Sequence, residues 1–514
     1  MKLNYKRTIL VGFAFFLIQV FWQAYDATIP VILTNKFGMS QTASGVIMAL
    51  DNILAVFMLP IFGALSDKCR NKKGKRTPFI TIGTTIAAVL LVALSFVDNA
   101  QLQRLSDVSA IDDPAALTVI YEQQADTTLQ TPEGKEFVLS QVMSQEDFVA
   151  ITSEISYPDG TKEINPMYTN YVVPARQACA AAATAAQPVP MYLFIGLLLA
   201  LLIAMSIFRS PAVALMPDVT AKPLRSKANA VINLMGTAGG ILVLVLGMVF
   251  ATSAVKNAMM TYYVYYGIVA ALMLGALVIF ILTVHEPQWA QEMQTQSATL
   301  EEEPEAEGEK RRLSKSEIVS MLLILASVAL WYIGYNAVTS KYSLYASSVL
   351  GMDYNTTMLI AQGAAIVSYL PAGMVASKIG RKKTILGGVV MLATAFAVAA
   401  FMRAGSPVLL MNVLFALAGI GWATINVNSF PMVVEMCSGA DIGKFTGYYY
   451  TASMAAQVIT PIFSGFLMDQ MGMVVLFPYA AVFAGLAFVT MFFVKHGDTK
   501  VIAKKGLEAL NIED

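Results

Sequence analysis

The sequence predicts an all-α polytopic membrane protein with twelve transmembrane helices in two six-helix halves. Three observations support this fold class. Of the 514 residues, 57% are hydrophobic and only 13% are charged, whereas soluble proteins carry about 25% charged residues. Apolar stretches long enough to cross a bilayer recur along the whole chain. Basic residues alternate between successive loops, as they do in membrane proteins of fixed orientation. A soluble enzyme, a disulfide scaffold, a coiled coil and a disordered protein are therefore poor fits.

The apolar stretches define the individual spans, since a spanning helix needs about 20 mostly apolar residues. The first stretch is too long for a signal-peptide core and is followed by eleven more, so we expect it to remain uncleaved. The predicted spans are 8–33, 43–66, 78–97, 191–217, 228–252, 261–284, 317–340, 355–377, 384–403, 407–431, 445–468 and 473–494.

Positive charge predicts the orientation of these spans. If both termini are cytoplasmic, the inner segments hold 25 of the 34 Lys and Arg residues and the outer segments hold 8. The remaining one, Arg209, lies within a span. Because cytoplasmic loops are enriched in Lys and Arg, we expect a multi-pass protein of the plasma (inner) membrane with both termini in the cytoplasm.

The loops divide the chain into an N-terminal half (1–284), a cytoplasmic linker (285–316), a C-terminal half (317–496) and a cytoplasmic tail (497–514). A long external loop, 98–190, separates spans 3 and 4 and holds 13 acidic against 4 basic residues. Its length would allow a small external cap, but its composition favours a solvated insertion. The charge-rich linker is typical of a flexible connection.

Several classes of site are disfavoured by residue content. The net charge is zero, so there is no basic field to attract nucleic acid. Cys69, Cys179 and Cys437 are far apart and odd in number, which indicates neither a disulfide framework nor a metal site. The two histidines, His285 and His496, end spans. We therefore expect no cofactor and no enzyme activity, and a monomer whose partners are the lipid bilayer and a small solute.

An internal repeat relates the two halves. Gly63 to Lys68 after span 2 reads GALSDK, and Gly373 to Lys378 after span 8 reads GMVASK. Pro211 to Met216 (PAVALM) is echoed 220 residues later by Pro431 to Met436 (PMVVEM). Duplicated halves with a site at the midplane are typical of secondary transporters.

The loop after span 2 carries a specific resemblance. Residues 66–80 read SDKCRNKKGKRTPFI, which resembles the signature of the major facilitator superfamily. It is most similar to the S-D-R-C-x-S-R-x-G-R-R-R-P-F-I segment of sucrose–proton symporters in the glycoside–pentoside–hexuronide cation symporter group. That resemblance implies the major facilitator fold and proton-coupled uptake of a disaccharide or other glycoside.

Two further positions bear on this resemblance. The end of span 4, Pro211 to Asp218, is similar to that group's G-P-x-R-A-L-x-A-D, but the group's arginine falls at Val213, and Arg209 lies one helical turn earlier. Pro60 is preceded by Leu59 and Ala55, so the D-x-x-x-D-P acidic pair of melibiose-type sodium symporters is missing.

The basic loop predicts a cytoplasmic gate. An acidic side chain at a helix end can face the positive N-terminus of a helix in the other half. Neighbouring basic side chains can interact with the carbonyl groups at the C-terminal ends of helices. The residues assigned to this gate are Gly63, Asp67, Lys68, Gly74, Lys75, Arg76, Asp218 and Glu435.

Charged residues within spans are the strongest candidates for proton coupling, because charge in hydrocarbon costs roughly 2.5–3.5 kcal/mol per residue on insertion scales. Asp26 shares one helix face with Gln19, Trp22 and Gln23. At about 1.5 Å per residue, Asp26 and Asp51 lie at similar depth and Arg209 lies about 10 Å lower. We assign proton coupling to Asp26 and Asp51.

Polar and aromatic residues on the helix faces of both halves are the candidate substrate site. Sugars offer apolar ring faces and hydroxyl edges, which suit aromatic platforms and amide side chains. The candidates are Gln19, Trp22, Gln23, Asn52, Arg209, Tyr332, Tyr335, Asn336, Trp422, Asn426 and Gln457.

Proton-coupled sugar uptake by alternating access is thus the favoured function. A drug–proton antiporter, a sugar uniporter, and a carrier of a nucleoside or organic acid remain open alternatives on the same fold. A membrane enzyme or receptor is the alternative of a different class.

Overall fold

The computed structural model describes residues 3–157, 162–220, 225–298, 314–434, 436 and 442–497. Three long helices open the chain, namely α1 (Tyr5–Asn35), α2 (Gln41–Lys68) and α3 (Thr77–Arg104). Asn4 and Ser40 cap the first two by accepting a hydrogen bond from a backbone N–H of the first turn. Pro30 lies inside α1, a position that membrane helices tolerate.

A small folded domain follows α3. Its elements are α4 (Ser106–Ser109), α5 (Pro114–Gln124), β1 (Thr128–Gln130), β2 (Glu136–Val138), α6 (Leu139–Val142), α7 (Gln145–Val149), β3 (Glu154–Ser156), β4 (Lys162–Ile164), a π-helical turn (Tyr168–Val172) and α8 (Val173–Ala186). The strands form two antiparallel hairpins, β1–β2 and β3–β4. Leu117, Ile120, Phe148 and Val172 are buried in a core of its own. The segment is therefore an inserted domain, and its interpretation as a solvated insertion is wrong.

Three more spanning helices complete the N-terminal bundle, and a shorter helix follows them. They are α9 (Val189–Val219), α10 (Arg225–Val249), α11 (Tyr263–Thr283) and α12 (Glu286–Ala298), with a 3-10 turn at Val255–Asn257. In this bundle α1 packs against α10, and α3 packs against α9.

The C-terminal bundle is built from six helices. They are α13 (Lys315–Tyr345), α14 (Tyr354–Ile379), α15 (Arg381–Ala399), α16 (Val408–Val434), α17 (Ile442–Met471) and α18 (Leu476–Phe492), with a π-helical turn at Ala346–Leu350 and a 3-10 turn at Met473–Val475. Within the described residues, eleven helices are long and apolar enough to cross a membrane. The remaining predicted span, 355–377, coincides with α14. The nearly all-helical fold of two bundles agrees with the sequence prediction.

The two ends of the bundles differ in what they carry. We call the end that bears the inserted domain the domain side, and the opposite end, with the loop 69–76, the basic side. Many apolar side chains on the flanks of the bundles are exposed, among them Val249 at 75%, Leu282 at 72% and Phe401 at 85%. Exposed apolar surface of this extent marks contact with lipid.

The start of α12 is fixed to the N-terminal bundle by a buried carboxylate. Glu286 accepts hydrogen bonds from the backbone N–H groups of Lys75, Arg76 and Thr77, each at 2.8 Å, and from the Thr77 hydroxyl at 2.7 Å. It thereby caps the unpaired N–H groups at the start of α3. The linker 285–316 therefore begins as an ordered helix, which corrects the prediction of a flexible connection; residues 299–313 lie outside the described part.

A buried ion pair ties three segments together on the domain side. Lys36 is fully buried, and its ammonium lies 2.7 Å from both carboxylate oxygens of Asp98 on α3 and 2.7 Å from the Met260 carbonyl. Gln101 donates to the Lys36 carbonyl at 2.9 Å. The pair therefore fixes the end of α1 to α3 and to the loop before α11.

We expect Glu286→Ala to lower the apparent melting temperature of the detergent-solubilised protein. The substitution leaves four donors at the start of α3 without their acceptor, and each orphaned buried donor costs about 1–3 kcal/mol. Glu292→Ala is the matched control on the same helix, because Glu292 makes an exposed ion pair with Arg7. Equal melting temperatures for the two variants would contradict the capping role of Glu286.

We also expect Cys179 to react with maleimide roughly tenfold or more slowly than Cys69 at pH 7. Cys179 is buried in the inserted domain, and burial raises the pKa of its thiol, so the reactive thiolate is scarce until the pH is raised. Cys69 is half-buried in the basic-side loop. Single-cysteine proteins labelled over a pH series test this; fast labelling of Cys179 at pH 7 would show that the domain core is open.

Candidate functional site

A cavity of about 240 Å³ lies between the two bundles. This volume is close to the lower end of the range of about 300–1,000 Å³ for small-molecule sites. Helices α1, α2 and α9 form one wall, and α13 and α17 form the other. The lining residues are Ile18, Gln19, Trp22, Tyr25, Asp26, Met48, Asp51, Asn52, Arg209, Asn336, Thr339, Ser340, Gln457 and Pro461.

One face of α1 supplies much of the polar wall. Gln19, Trp22 and Asp26 all line the cavity, as their spacing along a helix predicts. Gln23 does not line it and is buried instead between the bundles. Its amide donates to the Tyr354 hydroxyl at 2.9 Å and its carbonyl accepts from the Gln362 amide at 2.7 Å. Gln23 is therefore a contact between bundles in this state, and its assignment to the substrate site stays a prediction.

Two carboxylates and one guanidinium face the same cavity. Asn52 donates to Asp51 at 2.8 Å, and Arg209 attracts Asp51 electrostatically. The described part of the chain offers the Asp26 carboxylate neither a hydrogen bond nor an ion pair. The charge of Asp51 is thus compensated by neighbours, whereas no described residue compensates the charge of Asp26.

Arg209 reaches the cavity from α9 by packing on an aromatic ring. Its guanidinium carbon lies 5.3 Å from the centre of the Trp22 ring, a cation–π contact. Arg209 was predicted to lie well below the two carboxylates, and its side chain nevertheless lines the same cavity. Among the described ion pairs, none joins Arg209 to a carboxylate within 4.0 Å.

The C-terminal bundle contributes fewer of the predicted residues than expected. Asn336 and Gln457 line the cavity. Trp422 instead packs against its own bundle, stacked on Tyr335 with centroids 3.6 Å apart and in edge contact with Tyr332 at 5.2 Å. These three aromatics and Asn426 do not line the cavity, because α13 and α16 pack their aromatic faces against each other.

Other lining residues were missed in the sequence. Thr339 and Ser340 follow Asn336 by three and four positions, so helical periodicity could have identified them. Tyr25, beside Asp26, faces the cavity as well. The Trp22 indole N–H, the Tyr25 hydroxyl and the side-chain amide nitrogen of Asn336 have no hydrogen-bond partner within the described residues. Buried polar groups usually have a partner, so these three unpaired groups beside the cavity are candidates to pair with a solute once it is bound.

Arg76 is the centre of the charged network on the basic side. It donates to the Asp218 carboxylate at 2.7 Å, to the Gly63 carbonyl at 3.4 Å, and also to Asp67 and the Ser66 hydroxyl. The Asp67 ion pair therefore lies within the N-terminal bundle, and not against a helix of the other half as the predicted latch requires.

The remaining gate residues lie around this centre. Lys75 is 3.7 Å from Asp218, and Lys68 is exposed in the last turn of α2. Gly74 has a positive φ of 113° and packs on Glu286, so a side chain there would meet the buried carboxylate. Glu435 lies outside the described residues.

The domain side of the cavity is closed by contacts between α2 and α17. Asp469 of α17 accepts hydrogen bonds from the backbone N–H groups of Gln41 and Thr42, both at 2.7 Å, at the start of α2. The buried Lys341 of α13 donates to the Gln41 carbonyl at 2.9 Å. A Cβ on Gly465 would lie 2.2 Å from that carbonyl, so the two helices cross at backbone contact.

Comparison with known proteins identifies the family. Residues 177–370 and 354–511 match the model of the Major Facilitator Superfamily, and residues 10–103 match the MFS/sugar transport protein model. The chain belongs to the Major Facilitator Superfamily. Members of this superfamily are transporters, so the protein is a membrane transporter and not an enzyme.

Individual relatives are distant. The MFS-type transporter ppzB of Metarhizium rileyi (strain RCEF 4871) is 28% identical over 120 residues, which are 23% of this chain and 24% of the relative. The match thus spans about a quarter of that protein's length. Among solved structures, the inward-open xylose transporter XylE from E. coli superposes with a TM-score of 0.55 at 17% identity, covering 99% of both chains. The nucleoside transporter NupG superposes with a TM-score of 0.55 at 14% identity, covering 94% of this chain and 98% of that one. These likenesses show the fold.

We expect a double-mutant cycle to reveal coupling between Asp51 and Arg209. Arg209→Met removes the cation that attracts the Asp51 carboxylate, so the charge left in the cavity should lower the melting temperature. Adding Asp51→Asn removes the stranded charge and should recover most of the melting temperature. Arg209→Lys, which keeps the charge, is the control. If Arg209→Met is no less stable than the double variant, the two charges are independent.

Proposed function

We propose that this protein carries a sugar across the membrane together with a proton by alternating access. The observation that carries the proposal is a polar cavity between two bundles in which one carboxylate, Asp26, has no compensating partner among the residues that the structure describes. The superfamily membership supplies the transporter fold. The match of residues 10–103 to a sugar-transport model, together with the likeness to a xylose transporter, supports the solute class.

The two carboxylates have different roles in this proposal. Asp26 carries the transported proton, because an uncompensated carboxylate in a poorly hydrated site gains most from protonation. Asp51 is the fixed counter-ion of Arg209, held by the Asn52 amide. With Asp26 protonated, the charges of Asp51 and Arg209 cancel and the site is electrically neutral. A neutral site suits a neutral polyhydroxylated solute.

The chemistry of the lining favours a sugar over a lipophilic drug. Nine of the fourteen lining residues are polar or charged, and Trp22 adds an aromatic face. The unpaired N–H groups of Trp22 and Asn336 can donate to sugar hydroxyls. Arg209 can donate two parallel hydrogen bonds from its planar guanidinium. The resemblance of residues 66–80 to sucrose–proton symporters extends the proposal to glycosides.

In alternating access, one end of the transporter is closed while the other can open, so the contacts at the two ends indicate which state this structure corresponds to. The contacts of Asp469 and Lys341 with Gln41 close the cavity on the domain side. With the basic side in the cytoplasm, as the distribution of Lys and Arg predicts, this state is closed to the outside of a plasma (inner) membrane. The Arg76 network belongs to a cytoplasmic gate. When that side closes, Asp67 leaves Arg76 and binds the N-terminal end of a helix in the other bundle.

We expect Asp26→Asn to abolish pH-driven accumulation of sugar in proteoliposomes. The amide resembles the protonated acid but cannot release a proton, so the gradient no longer drives the cycle, while solute exchange without a gradient continues. Uptake of a panel of labelled monosaccharides and disaccharides, with and without an imposed pH gradient, measures this. Asp26→Glu is the matched control, because it keeps a titratable carboxylate at the same position.

Three outcomes would contradict the proposal in different ways. Full gradient-driven accumulation by Asp26→Asn, together with its loss in Asp51→Asn, would transfer the proton to Asp51. Export of lipophilic cations with no uptake of any sugar would favour the drug–proton antiporter. Sugar uptake that is indifferent to the pH gradient in the wild type would make the protein a uniporter.

A further inference from the structure

The inserted domain is firmly attached to the N-terminal bundle. Gln101 of α3 donates to the Thr184 hydroxyl of α8 at 3.1 Å, and Gln177 of α8 donates to the Asn35 side chain of α1 at 2.8 Å. A Cβ on Gly38 would lie 2.2 Å from the backbone nitrogen of Ala181, so α8 rests on the α1–α2 loop at backbone contact. The domain therefore moves with the N-terminal bundle.

The tip of its first hairpin reaches across to the C-terminal bundle. We call Thr131 to Lys135, the turn between β1 and β2, the hairpin tip. The Pro132 carbonyl accepts a hydrogen bond of 3.3 Å from the Val474 backbone N–H. A Cβ on Gly134 would lie 2.5 Å from the Met471 carbonyl, so the tip meets the α17–α18 loop with no side chain between the backbones.

Two further contacts join the domain to the C-terminal bundle. The Glu133 carboxylate of the tip lies 3.8 Å from the Arg403 guanidinium in the loop between α15 and α16. The Ile164 side chain of β4 packs on Gly351, where an added Cβ would come within 3.0 Å of it. The domain thus contacts the loops after α13, α15 and α17, all on the domain side.

These contacts have a mechanical consequence. An opening on the domain side requires α2 and α17 to separate at Gln41 and Asp469. Since the domain follows α1 and α3, the same movement draws the hairpin tip away from Val474 and Arg403. The cavity cannot open on this side while the tip stays docked.

We propose that the inserted domain is a strap that holds the transporter closed on the domain side through its hairpin tip. The Glu133–Arg403 pair is open to solvent, with 41% and 40% of the two side chains exposed. Such pairs contribute little individually, so the strap biases the equilibrium between states and releases readily. This proposal depends only on the relative movement of the two bundles and not on which solute is carried.

A distance measurement across the domain side tests this without any solute. Spin labels at Thr261→Cys and Leu409→Cys, one exposed site on each bundle, report the opening by pulsed electron resonance in nanodiscs. Cys69, Cys179 and Cys437 are replaced by alanine. Glu133→Arg and Arg403→Glu each set like charges against each other and should raise the open-to-closed ratio by up to about fivefold. The double variant restores opposite charges across this contact, so its ratio should fall below that of either single variant.

Glu136→Arg is the matched control, because it makes the same charge change at an exposed position of the same hairpin. An unchanged ratio in both single variants, or an equal rise with Glu136→Arg, would overturn the strap. Glu133→Gln and Arg403→Gln give the same test with a smaller shift if charge reversal lowers the protein yield. The labels report bundle separation alone, so a failure of sugar uptake leaves this result standing.

Discussion

The cost of placing charge in a low-dielectric interior governs this structure. Each ionisable group in the bundles must be paired, hydrogen-bonded or exposed to a cavity. Lys36 and Asp98 pair with each other, and Lys341 donates to a backbone carbonyl near Asp469. Among the described residues, the Asp26 carboxylate is neither paired nor hydrogen-bonded and faces the cavity between the bundles. An unpaired carboxylate in such an interior suggests a function in which it gains and loses a proton.

The spans and the α1 wall of the cavity were predictable from sequence because both depend on local periodicity. Long apolar runs have no stable alternative to a lipid-facing helix, and Gln19, Trp22 and Asp26 follow the helical repeat. Gln23 shares that repeat but contacts Tyr354 and Gln362. Those partners are more than 300 residues away, so the way the two bundles meet decides which residues face the cavity. The stacking of Tyr335 on Trp422 is hidden from sequence for the same reason.

The inserted domain and α12 were missed because their apolar signals are short and scattered. The domain core draws single residues such as Leu117, Phe148 and Val172 from several brief elements, while the acidic composition of the segment favours solvation. In α12, Trp289 is buried and Glu286 lies under the start of α3, yet the surrounding residues are polar. A buried carboxylate that caps another helix cannot be distinguished from a solvated one by composition.

The anchoring of α12 changes what connects the two bundles. Since the buried side chains of Glu286 and Trp289 fix this helix to the N-terminal bundle, α12 moves with that bundle in any rocking of the two halves. The covalent connection to the C-terminal bundle thus starts at Ala298, the end of α12, and not at the end of α11.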